Sequence, residues 1–152
     1  MRFLVTIVTF LALSQISVLH AQTAPLPAAG SEQDRGWEAI IEGDADAAVE
    51  AFDKAIQAEP KRATLYLGAG LAALLDRREQ DAIGFFEKAL ELDRTLTMAR
   101  VQLATARYRQ RELDTAISLL EEVVADRPGE PQVATTLKRW KEERDLRGSA
   151  KD

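Results

Sequence analysis

Residues 63–96 read ATLYLGAGLAALLDRREQDAIGFFEKALELDRTL, and this stretch decides the fold. From Thr64 to Asp76 the sequence places Leu65, Ala69, Ala72 and Ala73 on one side at a 3.6-residue period. Arg77 to Gln80 is a polar turn. From Asp81 to Asp93 the apolar face is rebuilt by Ala82, Phe86, Ala89 and Leu90. The spacing predicts two amphipathic helices joined by a short connection. Asp76 and Asp93 are placed near helix ends, because a short polar side chain competes with helical backbone bonding.

The same pattern recurs on both sides of this stretch. A shift of 34 residues superimposes Gly36, Gly70 and Ala104, then Ala48, Ala82 and Ala116. It aligns Phe52 and Phe86 with Leu120, and Ala55 and Ala89 with Val123. Val49, Ile83 and Ile117 form a further column, as do Ile56, Leu90 and Val124, and Pro60 and Pro128 stand near the ends of the first and third copies. No insertion or deletion interrupts the three copies, at about 29–62, 63–96 and 97–130. A period of this length signals a stack of two-helix units, each burying its apolar face against the next. The small-residue columns let helix axes approach closely, and the large column fills the space beside each contact. Thr95 or Thr97 is placed to cap the first helix of the third copy through its side-chain oxygen.

These columns resemble the tetratricopeptide repeat family, over about residues 29–130. The resemblance implies an all-α fold: an α-solenoid of three helix-turn-helix repeats stacked in a right-handed sense. Tyr66, Ala69 and Gly70 fit the family's first-helix pattern loosely; Arg100, Leu103 and Ala104 fit it in part. In the first copy Glu32 and Arg35 occupy places the family keeps apolar, so a short or frayed first helix is expected there. After Glu130, Pro131 can start a last helix at its first turn. Val133, Ala134, Leu137 and Trp140 form its apolar side, as a repeat stack requires of its terminal cap. The domain is expected to span 31–147, with a capping helix at 131–147 and a tail at 148–152.

The chain start reads differently. Arg2 is followed by Phe3, Leu4, Val5, Ile7, Val8, Phe10, Leu11 and Leu13, and no further charged side chain occurs until Glu32. A positive start and a short apolar run mark a secretory signal, here residues 1–21 with cleavage after Ala21. The other reading is a retained membrane anchor, but Thr6, Thr9, Ser14, Gln15 and Ser17 interrupt the run short of the ~20 apolar residues a span needs. Residues 22–30, with Pro25 and Pro27, read as an extended linker. The expected location is the periplasm or the cell exterior, with no membrane contact after cleavage.

Composition narrows the function. The 152 residues are 46% hydrophobic but only 6% aromatic, and 30% are charged, which suits close-packed helices. The net charge is −5, and −6 once residues 1–21 are set aside, which argues against nucleic acid as partner. There is no cysteine, and the one histidine, His20, lies in the signal segment. Ser-His-Asp and Cys-His constellations and His- or Cys-based metal sites are therefore not available to the remaining chain. Glu121–Glu122 and Glu142–Glu143 are adjacent and do not share a helix face. Gly68-Ala-Gly70-Leu-Ala-Ala73 matches a dinucleotide fingerprint in letters, but that fingerprint needs a strand before it and a helix beginning at it. No catalytic residue, cofactor, metal or small-molecule substrate is assigned.

In the family the first helix of each repeat lines the concave face, where partners bind. Carried over, the groove columns are Gln33, Trp37 and Ile40; Thr64, Leu67, Leu71 and Leu74; and Met98, Val101, Thr105, Tyr108 and Arg109. A contiguous apolar surface of this kind marks a binding face. Two other fates are open: Ile40 and Leu74 bury against neighbouring helices, or the linker around Leu26 folds into the groove. Arg100, Arg107 and Arg111 share a helical face and offer a basic spot for an acidic peptide end, unless Glu112 or Asp114 pairs with them. Chaperone-docking members of the family hold a terminal carboxylate with basic and amide side chains; the matching residues here, Gln33, Trp37, Gly68, Met98 and Gln102, include no base. The expected role is an exported adaptor that binds another protein or peptide. The alternatives are an N-terminal module of a larger envelope enzyme, such as a metallopeptidase, and self-association through the ends of the stack.

Overall fold

The computed structural model describes residues 30–149. The expected signal segment, most of the linker and the last three residues of the tail lie outside the described residues. Among the described residues seven helices follow in order: α1 Glu32–Glu42, α2 Ala45–Ala58, α3 Ala63–Leu75, α4 Glu79–Leu92, α5 Thr97–Arg109, α6 Leu113–Asp126 and α7 Pro131–Ser149. No strand occurs among the described residues. Each helix packs mainly on its neighbours in the chain, with α1 also meeting α3. This is the expected all-α stack of three hairpins and a terminal helix, held by nearest-neighbour contacts.

The turns inside the hairpins share one geometry. Gly43 takes a left-handed backbone (φ 80°), and the amide of Asp44 returns to the Ala39 carbonyl at 2.9 Å. At the equivalent places Arg77 (φ 60°) and Arg111 (φ 68°) do the same, with Arg78 N on Ala73 O at 2.8 Å and Glu112 N on Arg107 O at 3.0 Å. These bonds satisfy helix-end carbonyls. Glycine reaches this backbone freely; arginine does so against its own Cβ.

Helix starts are less uniform. Ser31 and Asp34 form a reciprocal capping box on α1, and Asp44 accepts from the Ala47 amide at 3.0 Å to cap α2. The starts of α3, α4, α5 and α6 carry no side-chain cap. Neither Thr95 nor Thr97 caps α5, contrary to expectation. The Thr95 hydroxyl donates to Asp93 at 2.6 Å, and that of Thr97 to the Thr95 carbonyl at 3.4 Å, so Leu96 stands at the cap position. The first helix is short, with 11 residues against 13 in α3 and α5, but its start is pinned by the capping box. Glu32 and Arg35, polar where the family is apolar, pair with each other at 2.7 Å on its outer side.

The seams explain the small and large columns. Ala48, Ala82 and Ala116 are fully buried, as are Phe52 and Phe86. The Phe52 ring lies against two glycines: a methyl group added to Gly36 would stand 2.7 Å from it, and one added to Gly68 would overlap it. Gly70 meets the Phe86 ring in the same way. The letters that mimic a dinucleotide fingerprint are thus the interior of α3, whose two glycines receive rings from α2 and α4. Each ring removed from water is worth roughly 1.5–3 kcal/mol. At the far end Leu137 and Trp140 of α7 close the core over Leu113, Ala116, Ile117 and Leu120. Val133 is half-buried beside them, whereas Ala134 is exposed.

Candidate functional site

The first helices of the three repeats, α1, α3 and α5, carry the candidate binding columns. Their side chains differ widely in what they can offer a partner. Met98 is 55% exposed and is the most open of the apolar candidates. Trp37, Leu71 and Val101 are half-buried, each with one side on a core cluster. Trp37 meets Phe52 edge-on, with ring centres 5.2 Å apart. Thr64 and Gln33 are half-buried as well, and the Gln33 side-chain oxygen is enclosed without a hydrogen-bond partner. Leu67 is only 7% exposed and belongs to the core. A leucine at that spacing joins the core because α3 is enclosed by α1, α2 and α4 and is apolar on nearly every side.

Three polar candidates are already engaged. The Thr105 hydroxyl donates to the Val101 carbonyl of its own helix at 2.9 Å. Arg109 lies 3.3 Å from Glu79. The Tyr108 ring stacks on Trp140 of α7 at 4.5 Å, nearly parallel, and its hydroxyl donates to Glu143 at 2.7 Å. This bond, with Arg147 nearby, holds the Glu143 carboxyl below the ordinary carboxylate range, and the same bond pushes the Tyr108 phenol up. Of the two residues expected to turn inward, Ile40 and Leu74 are half-buried against the core.

Two groove-edge residues escaped the reading of the sequence. Ile41 is 85% exposed and Leu75 39% exposed. They share a 34-residue column with Arg109, so stepping back from that arginine finds both. The exposed large apolar side chains of these helices are Ile41 and Leu75, at the ends of α1 and α3, and Met98, at the start of α5, with Trp37, Leu71 and Val101 set more deeply.

The arginines of the third repeat do not gather as one spot. Arg100 is 8% exposed; it donates to Asp126 at 2.8 Å and to the Arg94 carbonyl, and Glu122 lies 3.4 Å away. Arg107 pairs with Glu112 at 3.1 Å, as expected, and also reaches Glu87 across from α4. Arg111 stands apart. With Arg109, Arg144 and Arg147 it lines two adjoining clefts of about 320 Å³ each, between the α5–α6 turn and the end of α7. Among the described residues, no group of three His, Cys, Asp or Glu side chains could hold a metal ion, and no helix is long and apolar enough to cross a membrane.

Two tetratricopeptide repeat models match the chain, at residues 34–96 and 73–139. A curated relative is the mitochondrial import receptor subunit TOM70 of Saccharomyces cerevisiae, 35% identical over 88 residues. The match takes in 52% of this chain but only 14% of that receptor's length. The second TPR domain of human RPAP3, solved in complex with the HSP70 peptide SGPTIEEVD, superimposes with a TM-score of 0.67 at 30% identity. That match covers 73% of this chain and 92% of the human domain. MamA superimposes with a TM-score of 0.67 at 25% identity, over 74% of this chain and 66% of MamA.

Proposed function

Because the chain belongs to the tetratricopeptide repeat family, we propose that it is an exported adaptor that holds a segment of another protein along α1, α3 and α5. The observation that carries this reading is the apolar side chains that α1, α3 and α5 leave in water, Ile41, Leu75 and Met98, with Trp37, Leu71 and Val101 half-buried on the same three helices. Apolar side chains left in water along successive repeats lose contact with water when a partner's apolar anchors cover them. The peptide carried by the human RPAP3 domain supports a peptide as occupant. That peptide itself is not carried over, since the columns that grip a terminal carboxylate in chaperone-docking relatives hold no base here. Export rests on Arg2 and the charge-free run up to Glu32.

The test is crosslinking from position 98 in the full-length protein expressed with its own leader. A photoreactive residue there is expected to label one recurrent segment of one partner. Leu75→Glu is expected to abolish that label while the circular dichroism spectrum and melting temperature hold. Leu71→Glu with Val101→Glu should do the same at some cost in stability, since both side chains also pack inward. Labelling that survives Leu75→Glu sinks the groove. Mass spectrometry of the exported protein checks the leader: a chain beginning at Gln22 is expected.

A further inference from the structure

We propose that the exposed face of α1 docks a cationic amphipathic segment of the partner, with the segment's apolar side on Trp37 and Ile41 and its bases on Glu38 and Glu42. The inference rests on the groove reading, since Trp37 belongs to the groove columns, and it names the chemistry of the occupant at the α1 edge.

The charge of the chain is not spread evenly. Residues 31–59 hold nine acids and two bases, a balance of −7, whereas residues 60–152 hold 16 acids and 17 bases. The first helix pair therefore accounts for all the negative charge in excess over residues 31–152. Both of its bases are committed: Arg35 pairs with Glu32 at 2.7 Å and Lys54 with Glu50 at 2.6 Å. Some of the acids are engaged too. Asp34 and Asp44 cap helix starts, and Glu59 lies 3.1 Å from Arg62. Glu38 and Glu42 are exposed and make no ion pair or side-chain hydrogen bond among the described residues.

These two carboxylates stand four residues apart toward the C-terminal end of α1. Like charges at that spacing repel each other. A negative charge there also meets the negative end of the helix dipole. The last turn of α1 has no base to offset either effect, whereas that of α5 carries Arg107 and Arg109. Departures from these local rules with no compensation inside the fold mark functional positions. Ile41 is on the same face, three residues from Glu38, and is 85% exposed. Trp37 lies one turn before it and is half-buried. At helical spacing the four side chains form one surface, apolar along one edge and acidic along the other. Leu75 takes the place of Ile41 on α3, which packs on α1, and widens the apolar edge. An occupant matched to both edges carries an apolar stripe beside a basic one. An acidic occupant would set like charges against each other.

Fluorescence anisotropy with the full chain tests this, using a rhodamine-labelled leucine–lysine peptide about 14 residues long and patterned at helical spacing. Saturable binding is expected, weakening between about 50 and 300 mM salt. Glu38→Gln with Glu42→Gln is expected to weaken binding roughly fivefold, the scale of two exposed ion pairs. That variant should melt no lower than the native chain, because repulsion within α1 is removed, so unfolding does not explain the loss. Ile41→Ser should weaken binding roughly tenfold through lost apolar contact. Asp114→Asn with Glu130→Gln removes the same charge elsewhere and should bind as the native chain does. The proposal is overturned if this control weakens binding as much as the α1 pair does. Equally tight binding of a peptide of the same composition scrambled out of helical register also overturns it. If the patterned peptide fails to bind while crosslinking from position 98 persists, the cationic segment falls and the groove stands. If the crosslink fails while the peptide binds as expected, the groove falls and the α1 face stands.

Discussion

The first and third helix pairs follow one plan in different materials. In α1–α2 both helix starts are capped by side chains, the turn uses glycine, and the seam is a phenylalanine against glycines. In α5–α6 neither start is capped, the turn forces Arg111 into a left-handed backbone, and Ala104 and Leu120 occupy the glycine and phenylalanine columns. Where α1 carries Glu32 on its outer side, α5 carries the buried Arg100. The first pair is therefore held largely by local devices. The third relies on long-range ties: Arg100 to Asp126, Arg107 to Glu87, Arg109 to Glu79 and Tyr108 to Glu143. One of these ties, Arg100 to Asp126, joins α5 to α6 within the pair, and the others reach α4 and α7, so a repeat whose helix starts lack side-chain caps draws part of its order from its neighbours.

The sharpest challenge to this contrast is at the seams. Phe52→Ala is expected to cost about 3–5 kcal/mol, because glycine walls have no side chains to fill the void. Leu120→Ala should cost less. Equal losses in urea unfolding would mean the glycine seats add nothing. Next comes Arg100. Arg100→Ala should cost about 2 kcal/mol, since its aliphatic stem as well as its charge is lost from a buried place. Arg100→Met should recover most of that loss, because Asp126 and Glu122 are exposed enough to be taken up by water. A methionine no better than alanine would show that the ion pairs themselves hold the third pair.

The turns give a smaller effect with opposite signs. Gly43→Arg is expected to cost about 1–2 kcal/mol, whereas Arg77→Gly and Arg111→Gly should each gain about 0.5–1 kcal/mol, as thermal melts would register. The smallest effect is at the start of α1, where Ser31→Ala should cost about 1 kcal/mol. Bonds from the Ser31 amide and hydroxyl lower the Asp34 pKa. Its contribution is therefore complete above the ordinary carboxylate range and is lost as the pH falls through the lowered value. On acidification, hydrogen exchange should quicken in the first turn of α1 before that of α6, whose start has no side-chain cap. The reverse order would contradict the assignment of local order to the first pair.

The period was legible because packing wrote it. Phe52, Phe86 and the alanine columns recur where helices must meet closely, and close meeting tolerates few residue types. Gly68 was less legible, since it belongs to no column; its reason is a ring from the preceding repeat. The capping box was missed because the partner at the third helical residue is Asp34 rather than the usual glutamate or glutamine. In the groove, helical spacing could place Leu67 and Met98 on one helix side each, but not their depth. Whether a side chain stands in water or in the core depends on the neighbouring helix, as the enclosure of α3 and the tie of Tyr108 to α7 illustrate. The burial of Arg100 had no signal of its own, because its partners sit on α6, 22 and 26 residues away.

Phe52 is shared property. One wall of its seat is Gly36, in the same repeat, and the other is Gly68, in the next. The border drawn by the alphabet at residue 62 therefore runs through the middle of a mechanical joint. Protein engineers who graft or delete units of this chain should keep α1, α2 and α3 together, so that the ring travels with both glycines, and should expect a cut after α3 to part Gly70 from the Phe86 ring.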